Sequence, residues 1–207
     1  MVGQAKTWQH PNMLKTRTQS ASSHTLNSDR AAGLVSRALL HLAEGDQQTA
    51  QVLYEQAIQR EPLAVPPYVN LADLLRLQGD ESASAAVLQA GLQVQPEAPA
   101  LLQARALQLV RAGDLGAAAP LIERAQAAAP ERPDLVVLLA LAYDGLGQTE
   151  RARAVLAAFV ERHVSYRQPL QTWLSLAQRD AAAGDAAAVV EVRRAAALLA
   201  ALDQVSR

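Results

Sequence analysis

The stretch VPPYVNLADLLRLQGDESASAAVLQAGLQVQPEA, Val65 to Ala98, decides how the rest of the chain is read. In its first half, Tyr68, Leu71, Ala72 and Leu75 fall three and four residues apart, which puts them on one face of a helix. Gly79 follows, where a left-handed residue can cap the last carbonyls. Asp80 comes next and can accept from the free N–H groups that open a second helix. Pro96 then stops that second helix and sets up whatever follows. The stretch therefore predicts a helix-turn-helix unit of 34 residues.

Working outward, the same unit recurs. Pro62, Pro96 and Pro130 are each 34 residues apart, and Gly45, Gly79, Gly113 and Gly147 keep that interval. Glu44-Gly45-Asp46, Gln78-Gly79-Asp80 and Ala112-Gly113-Asp114 are nearly identical contexts. Two independent markers with one period define an internal repeat. Aligned on the glycines, the units start at Ala31, Val65, Pro99 and Pro133. The fourth position is large and apolar (Leu34, Tyr68, Leu102, Val136), and the eighth is small (Ala38, Ala72, Ala106, Ala140). The eleventh is bulky (His41, Leu75, Leu109, Tyr143), and the twentieth is small again (Ala50, Ser84, Ala118, Ala152). The twenty-fourth is bulky (Tyr54, Leu88, Ile122, Leu156). The twenty-seventh is small in Ala57, Gly91 and Ala125 but becomes Phe159 in the fourth unit, where Val164 replaces the closing proline.

These residues resemble the tetratricopeptide repeat family, whose unit is a helical hairpin of this length. The resemblance implies an all-α fold, a right-handed superhelical solenoid of about five hairpins. The expected organisation is a flexible arm over residues 1–28 and an array over 29–203, with repeats at about 31–64, 65–98, 99–132, 133–166 and 170–203. The fifth copy is offset, because Gly184 lies three residues late. Realigned from Leu170, it presents Trp173, Ala177 and Gly184-Asp185 in the expected places, and the extra residues are assigned to a longer loop around His163–Tyr166. Asp180 and Arg193 depart from its pattern.

Composition agrees with packed helices. Half the residues are hydrophobic and only 3% are aromatic, so Ala and Leu dominate. The net charge of −1 provides no field favouring nucleic acid or an anionic membrane. With no Cys, the chain has no disulfide, thiolate metal site, Cys nucleophile or covalently attached haem. The first twenty residues lack the apolar core of a secretory signal, and the longest apolar stretches are too short to span a bilayer. Cytoplasmic location is the default expectation, with the periplasm equally suited if the array belongs to a larger exported protein.

No residues converge on catalysis. His10, His24, His41 and His163 are scattered without ligand spacing. Every regularly spaced glycine is explained as a helix cap, so none is left to form a phosphate loop. The reading names no catalytic, cofactor-binding or metal-binding residue and expects a protein or peptide partner instead. In stacked hairpins the first helices line a concave groove. The groove residues expected on this basis are Val35, Leu39, Val69, Asn70, Asp73, Arg76, Gln103, Leu107 and Leu138, with Val137 and Leu141 beside them. This predicts a mostly aliphatic groove with a polar spot at repeat two, suited to an apolar peptide or helix. The carboxylate clamp of some family members is matched only by Asn70; Val35, Leu39, Ala100 and Ala104 stand at its other places.

Two other expectations concern the ends and context. The last helix, around Ala186–Asp203, carries an inward stripe of Val189, Val192, Ala196 and Leu199. Val190, Leu198 and Leu202 are left on another face, which predicts either self-association as a homodimer or a detached piece of something longer. Leu26-Asn27-Ser28-Asp29-Arg30 and Val69-Asn70-Leu71-Ala72-Asp73-Leu74 look like the repeat tail behind a multihaem cytochrome domain in some bacterial proteins. That resemblance implies an accessory role beside a larger redox protein.

Overall fold

A computed structural model describes residues 30–205. The arm read over 1–28 lies outside them. The described chain runs through α1 (Ala31–Ala43), α2 (Gln47–Arg60), α3 (Val65–Leu77), α4 (Glu81–Val94) and α5 (Pro99–Arg111). It continues through α6 (Leu115–Ala128), α7 (Pro133–Gly145), α8 (Thr149–Arg162), α9 (Arg167–Ala182) and α10 (Ala186–Val205). Consecutive helices pair as five antiparallel hairpins, and each hairpin packs its second helix on the first helix of the next.

The turn chemistry is repeated with little change. Gly45, Gly79, Gly113, Gly147 and Gly184 all have positive φ, the conformation a side chain would strain. At Gly79 the cap is complete: its N–H bonds to the Arg76 carbonyl and that of Asp80 to the Leu75 carbonyl, both at 2.9 Å. Asp46, Asp80 and Asp114 then accept from the N–H of Thr49, Ala83 and Ala117, at 3.0, 2.8 and 2.9 Å. Gln148 opens α8 without such a bond.

Small residues set the spacing within and between hairpins. Ala38, Ala72, Ala106 and Ala140 of the first helices are buried, as are Ala50, Ser84, Ala118 and Ala152 of the second helices, and side chains this small let paired axes approach. Gly91 serves the junction between repeats two and three. A Cβ there would sit 2.9 Å from Leu101 Cδ2 and 3.1 Å from Tyr68 Cγ. One apolar core joins repeats one and two around Leu34, Tyr54 and Leu71. A larger one runs from Ala106 through Val136, Phe159 and Trp173 to Ala195.

The fifth hairpin corrects two expectations. The link 163–166 is no longer than the other inter-repeat links, for example 61–64. The three extra residues instead lengthen α9, which has 16 residues against 13 in α7 and starts at Arg167, not Leu170. Its added turn carries Pro169, tolerated there because the first turn of a helix needs no donor from it. Phe159 fills the space that a small residue leaves in other units and stacks on His163 with ring centroids 4.6 Å apart. The second correction is the inward stripe of α10. Ala188 and Ala195 are buried, with Val192 and Leu199 half-buried, whereas Val189 and Ala196 face solvent.

Asp180, at a position that is bulky and apolar in repeats two and three, is buried beside Arg153 of α8 and makes an ion pair with it. The departure from the repeat pattern is therefore one half of a pair, and its other half lies in the preceding hairpin. No helix among the described residues is long and apolar enough to cross a membrane.

Candidate functional site

The first helices of neighbouring repeats touch one another, α1 with α3, α3 with α5 and α7 with α9, while no two second helices make comparable contact. The stack is therefore tightest along its first helices, and that side is the inner one. Between repeats two and three it opens into a trough of about 300 Å³. Val69 and Asp73 of α3 form one wall. Gln103, Leu107 and Arg111 of α5 line the trough from the neighbouring repeat, and Arg132 lines it from the link before α7.

The polar groups in the trough are held in place. Gln103 donates from Nε2 to Asp134 Oδ2 at 2.9 Å and accepts at Oε1 from Arg132 Nη2 at 2.7 Å. Arg132 also donates from Nε to Asp134 Oδ1 at 3.1 Å. The Arg132 hydrogen bond, with a smaller contribution from Gln103, holds the Asp134 carboxyl below the usual carboxylate range. Asp73 lies 3.5 Å from Arg76 Nε, one helical turn along α3. Arg111 has no ion-pair partner among the described residues.

Of the nine groove residues read from the sequence, Val69, Asp73, Gln103 and Leu107 come together in this trough, and Arg76 stands beside it. The others lie elsewhere. Val35 is half-buried in a separate hollow with Ala31, Glu61 and Pro67. Leu39 is 51% exposed on α1. Leu138 is half-buried against the larger core, and Val137 is fully inside it. Asn70 is half-buried beside the Tyr54 hydroxyl, without completing a hydrogen bond to it. Burial raises the Tyr54 pKa.

The inner face is also more polar than the helix positions predicted. Arg111 follows the last helix position used for the groove, and Arg132 lies in a link between hairpins. Helical periodicity reaches Arg111, one turn beyond Leu107 on α5, but it does not report on Arg132. Arg111 closes α5, and Arg132 immediately precedes α7 with α6 between the two in sequence.

At the C-terminal end, Val190 is 66% exposed, while Leu198 and Leu202 are half-buried against the core. Leu198 and Leu202 line a shallow apolar hollow of about 330 Å³ with Val164, Ser165 and Ala201. Among the described residues, no group of three or more His, Asp or Glu side chains is placed to hold a metal ion. Of the two segments that resemble a cytochrome-linked tail, residues 26–29 lie outside the described chain. In the other, Leu71, Ala72 and Leu74 are buried packing residues of the hairpin.

Five stacked hairpins with these caps and small-residue contacts are a tetratricopeptide repeat solenoid. Residues 109–172 match the tetratricopeptide repeat family. Among solved structures, the chain is similar to MamA from Desulfovibrio magneticus RS-1, at 20% identity and a TM-score of 0.63, covering 86% of this chain and 96% of that one. PilF of Pseudomonas aeruginosa is similar at 14% identity and a TM-score of 0.66, over 83% of this chain and 76% of that one. YrrB, described as a repeat protein with an unusual peptide-binding site, is similar at 14% identity and a TM-score of 0.61, over 86% and 91%. At these identities the likeness is one of fold. No curated protein matches the sequence.

Proposed function

We propose that the array is a protein-interaction scaffold that holds an extended peptide in the trough between repeats two and three. The carrying observation is that Val69, Leu107, Gln103 and Asp73 line one trough with Arg111, the one arginine of the trough without an ion pair among the described residues. Such a site offers aliphatic contact on its walls and a cation at its edge. It suits a peptide with an aliphatic side chain next to an acidic one. The peptide-binding site described for YrrB supports the reading by analogy of fold.

The test is selection from a random peptide library on the purified chain, followed by calorimetry on the enriched sequences. Peptides pairing an aliphatic residue with Asp or Glu are expected, and Arg111→Glu should weaken them at least about tenfold, or ~1.4 kcal/mol. Equal binding by the Arg111→Glu variant would sink the reading, and so would failure to enrich any peptide.

Exposed Val190 and the apolar hollow at Leu198 and Leu202 favour self-association through α10 as a second reading. Light scattering over a wide concentration range separates it from the first. A dimer dispersed by Val190→Glu supports it, and a monomer throughout removes it.

A further inference from the structure

The buried charge between repeats four and five is not used by the trough. Arg153 is 3% exposed. Its Nη1 bonds Asp180 of α9, its Nη2 bonds Asp185 Oδ2 of the turn at 2.6 Å, and its Nε lies 3.3 Å from Glu191 Oε2 of α10. The Trp173 indole donates to that same Glu191 oxygen at 2.8 Å. Three carboxylates thus converge on one guanidinium, each from a different segment of the last hairpin.

That hairpin is also packed differently from the rest. Counted from the turn glycine, the fifth residue after it is buried in the first four hairpins (Ala50, Ser84, Ala118, Ala152), and so is the ninth (Tyr54, Leu88, Ile122, Leu156). In the last hairpin those places hold Val189 and Arg193, and both face solvent. The buried residues come one earlier, at Ala188, and seven further on, at Ala195. The helix is turned by one residue, roughly 100°. Its apolar pattern does not demand this. In the usual register Val189, Val192 and Ala196 would turn inward, together with Arg193 at the ninth place. What the observed register does is bring Glu191 to Arg153 and Trp173.

We propose that the Arg153 cluster is a register lock, in which Glu191, Asp180 and Asp185 select the rotated packing of α10 over the usual one. Buried ion pairs are costly for stability, and fixing a register is the role they are best known to serve. The lock also decides which side chains α10 shows to solvent, since it keeps Val189 and Val190 out and Leu198 and Leu202 half-covered. Arg193 offers a rival cause, because the usual register would bury its charge.

The chain has no Cys, so single thiols at Ala188→Cys or Val189→Cys report the register by labelling rate. In the natural background, Cys at 188 should react slowly and Cys at 189 fast, by at least about tenfold. Arg193→Leu, which removes the rival cause, should leave that order unchanged. Adding Arg153→Met and Asp180→Leu, which replaces the main pair by apolar groups of similar bulk, should invert it, with helicity kept by circular dichroism. Inversion with Arg193→Leu alone would mean that exclusion of Arg193 sets the register. No inversion in the triple variant would assign the register to apolar packing. Fast labelling at both sites would make the cluster a simple attachment. Each of these three results overturns the proposal.

Discussion

At the scale of single residues, the repeat depends on backbone conformation and on volume. Gly79 has a φ of +85°, so Gly79→Ala strains the turn and should lower stability by roughly 1–2 kcal/mol. Gly116, an exposed helical glycine with only Asp114 Oδ1 within reach at 3.8 Å, is the contrast. Gly116→Ala should be neutral or stabilising by about 0.5–1 kcal/mol. Ala106 is fully buried in its hairpin, and Ala106→Leu should cost about 1–3 kcal/mol through overpacking. Chemical denaturation of the three variants side by side checks both the conformational and the volume argument. The carboxyls of Asp134 and Asp144 are held low, chiefly by hydrogen bonds from Arg132 and Arg179 respectively. A depressed carboxyl contributes stability above its unfolded pKa, near the ordinary 3.8, and loses it as pH falls through the lower folded value. The array should therefore lose stability below about pH 4 and keep these contributions above it; thermal melts from pH 2 to pH 7 with Asp144→Asn as comparison check the sign.

At the scale of elements, the joint between α8 and α9 is where polar groups replace the usual apolar contact. Arg153→Met alone leaves three carboxylates around an apolar side chain and should cost about 3–5 kcal/mol. Arg153→Met with Asp180→Leu restores the bulky residue seen at Leu75 and Leu109 and should come out close to the natural chain, measured as a double-mutant cycle. The element scale is also where sequence reading was least complete. Repeats one to four were legible because glycine, cap and apolar spacing all give the same register. In the fifth, the late glycine was visible but its consequence was not. Three extra residues can extend a loop or a helix, and the choice was made by packing around Pro169, Leu170 and Trp173, which are all buried. Asp180 read as a defect because its partner, Arg153, lies 27 residues away on another hairpin.

At the scale of the whole molecule, stacking brings distant repeats to one inner face. Leu39 and Leu138 are both read from the sequence as groove residues, at the ninth and sixth places of their units, yet one is exposed and the other is packed on the core. Leu138→Ser should therefore lower the melting temperature clearly, and Leu39→Ser should hardly change it; differential scanning calorimetry of the pair distinguishes core from surface. The trough itself was half legible. Helical periodicity picks Val69, Asp73, Gln103 and Leu107, because they share a face of their own helices. It does not pick Arg132, whose place in the trough depends on how repeat four sits on repeat three.

By itself the sequence determined the unit: a 34-residue hairpin, capped by glycine and aspartate, stacked through small residues at fixed places. That much is local, set by backbone conformation, side-chain volume and helical period. The tertiary structure alone decided the register of the last helix, the pairing of Arg153 with Asp180, and which inner-face residues meet in the trough. Those depend on contacts between hairpins, and an Ala- and Leu-rich helix offers more than one apolar stripe for making them.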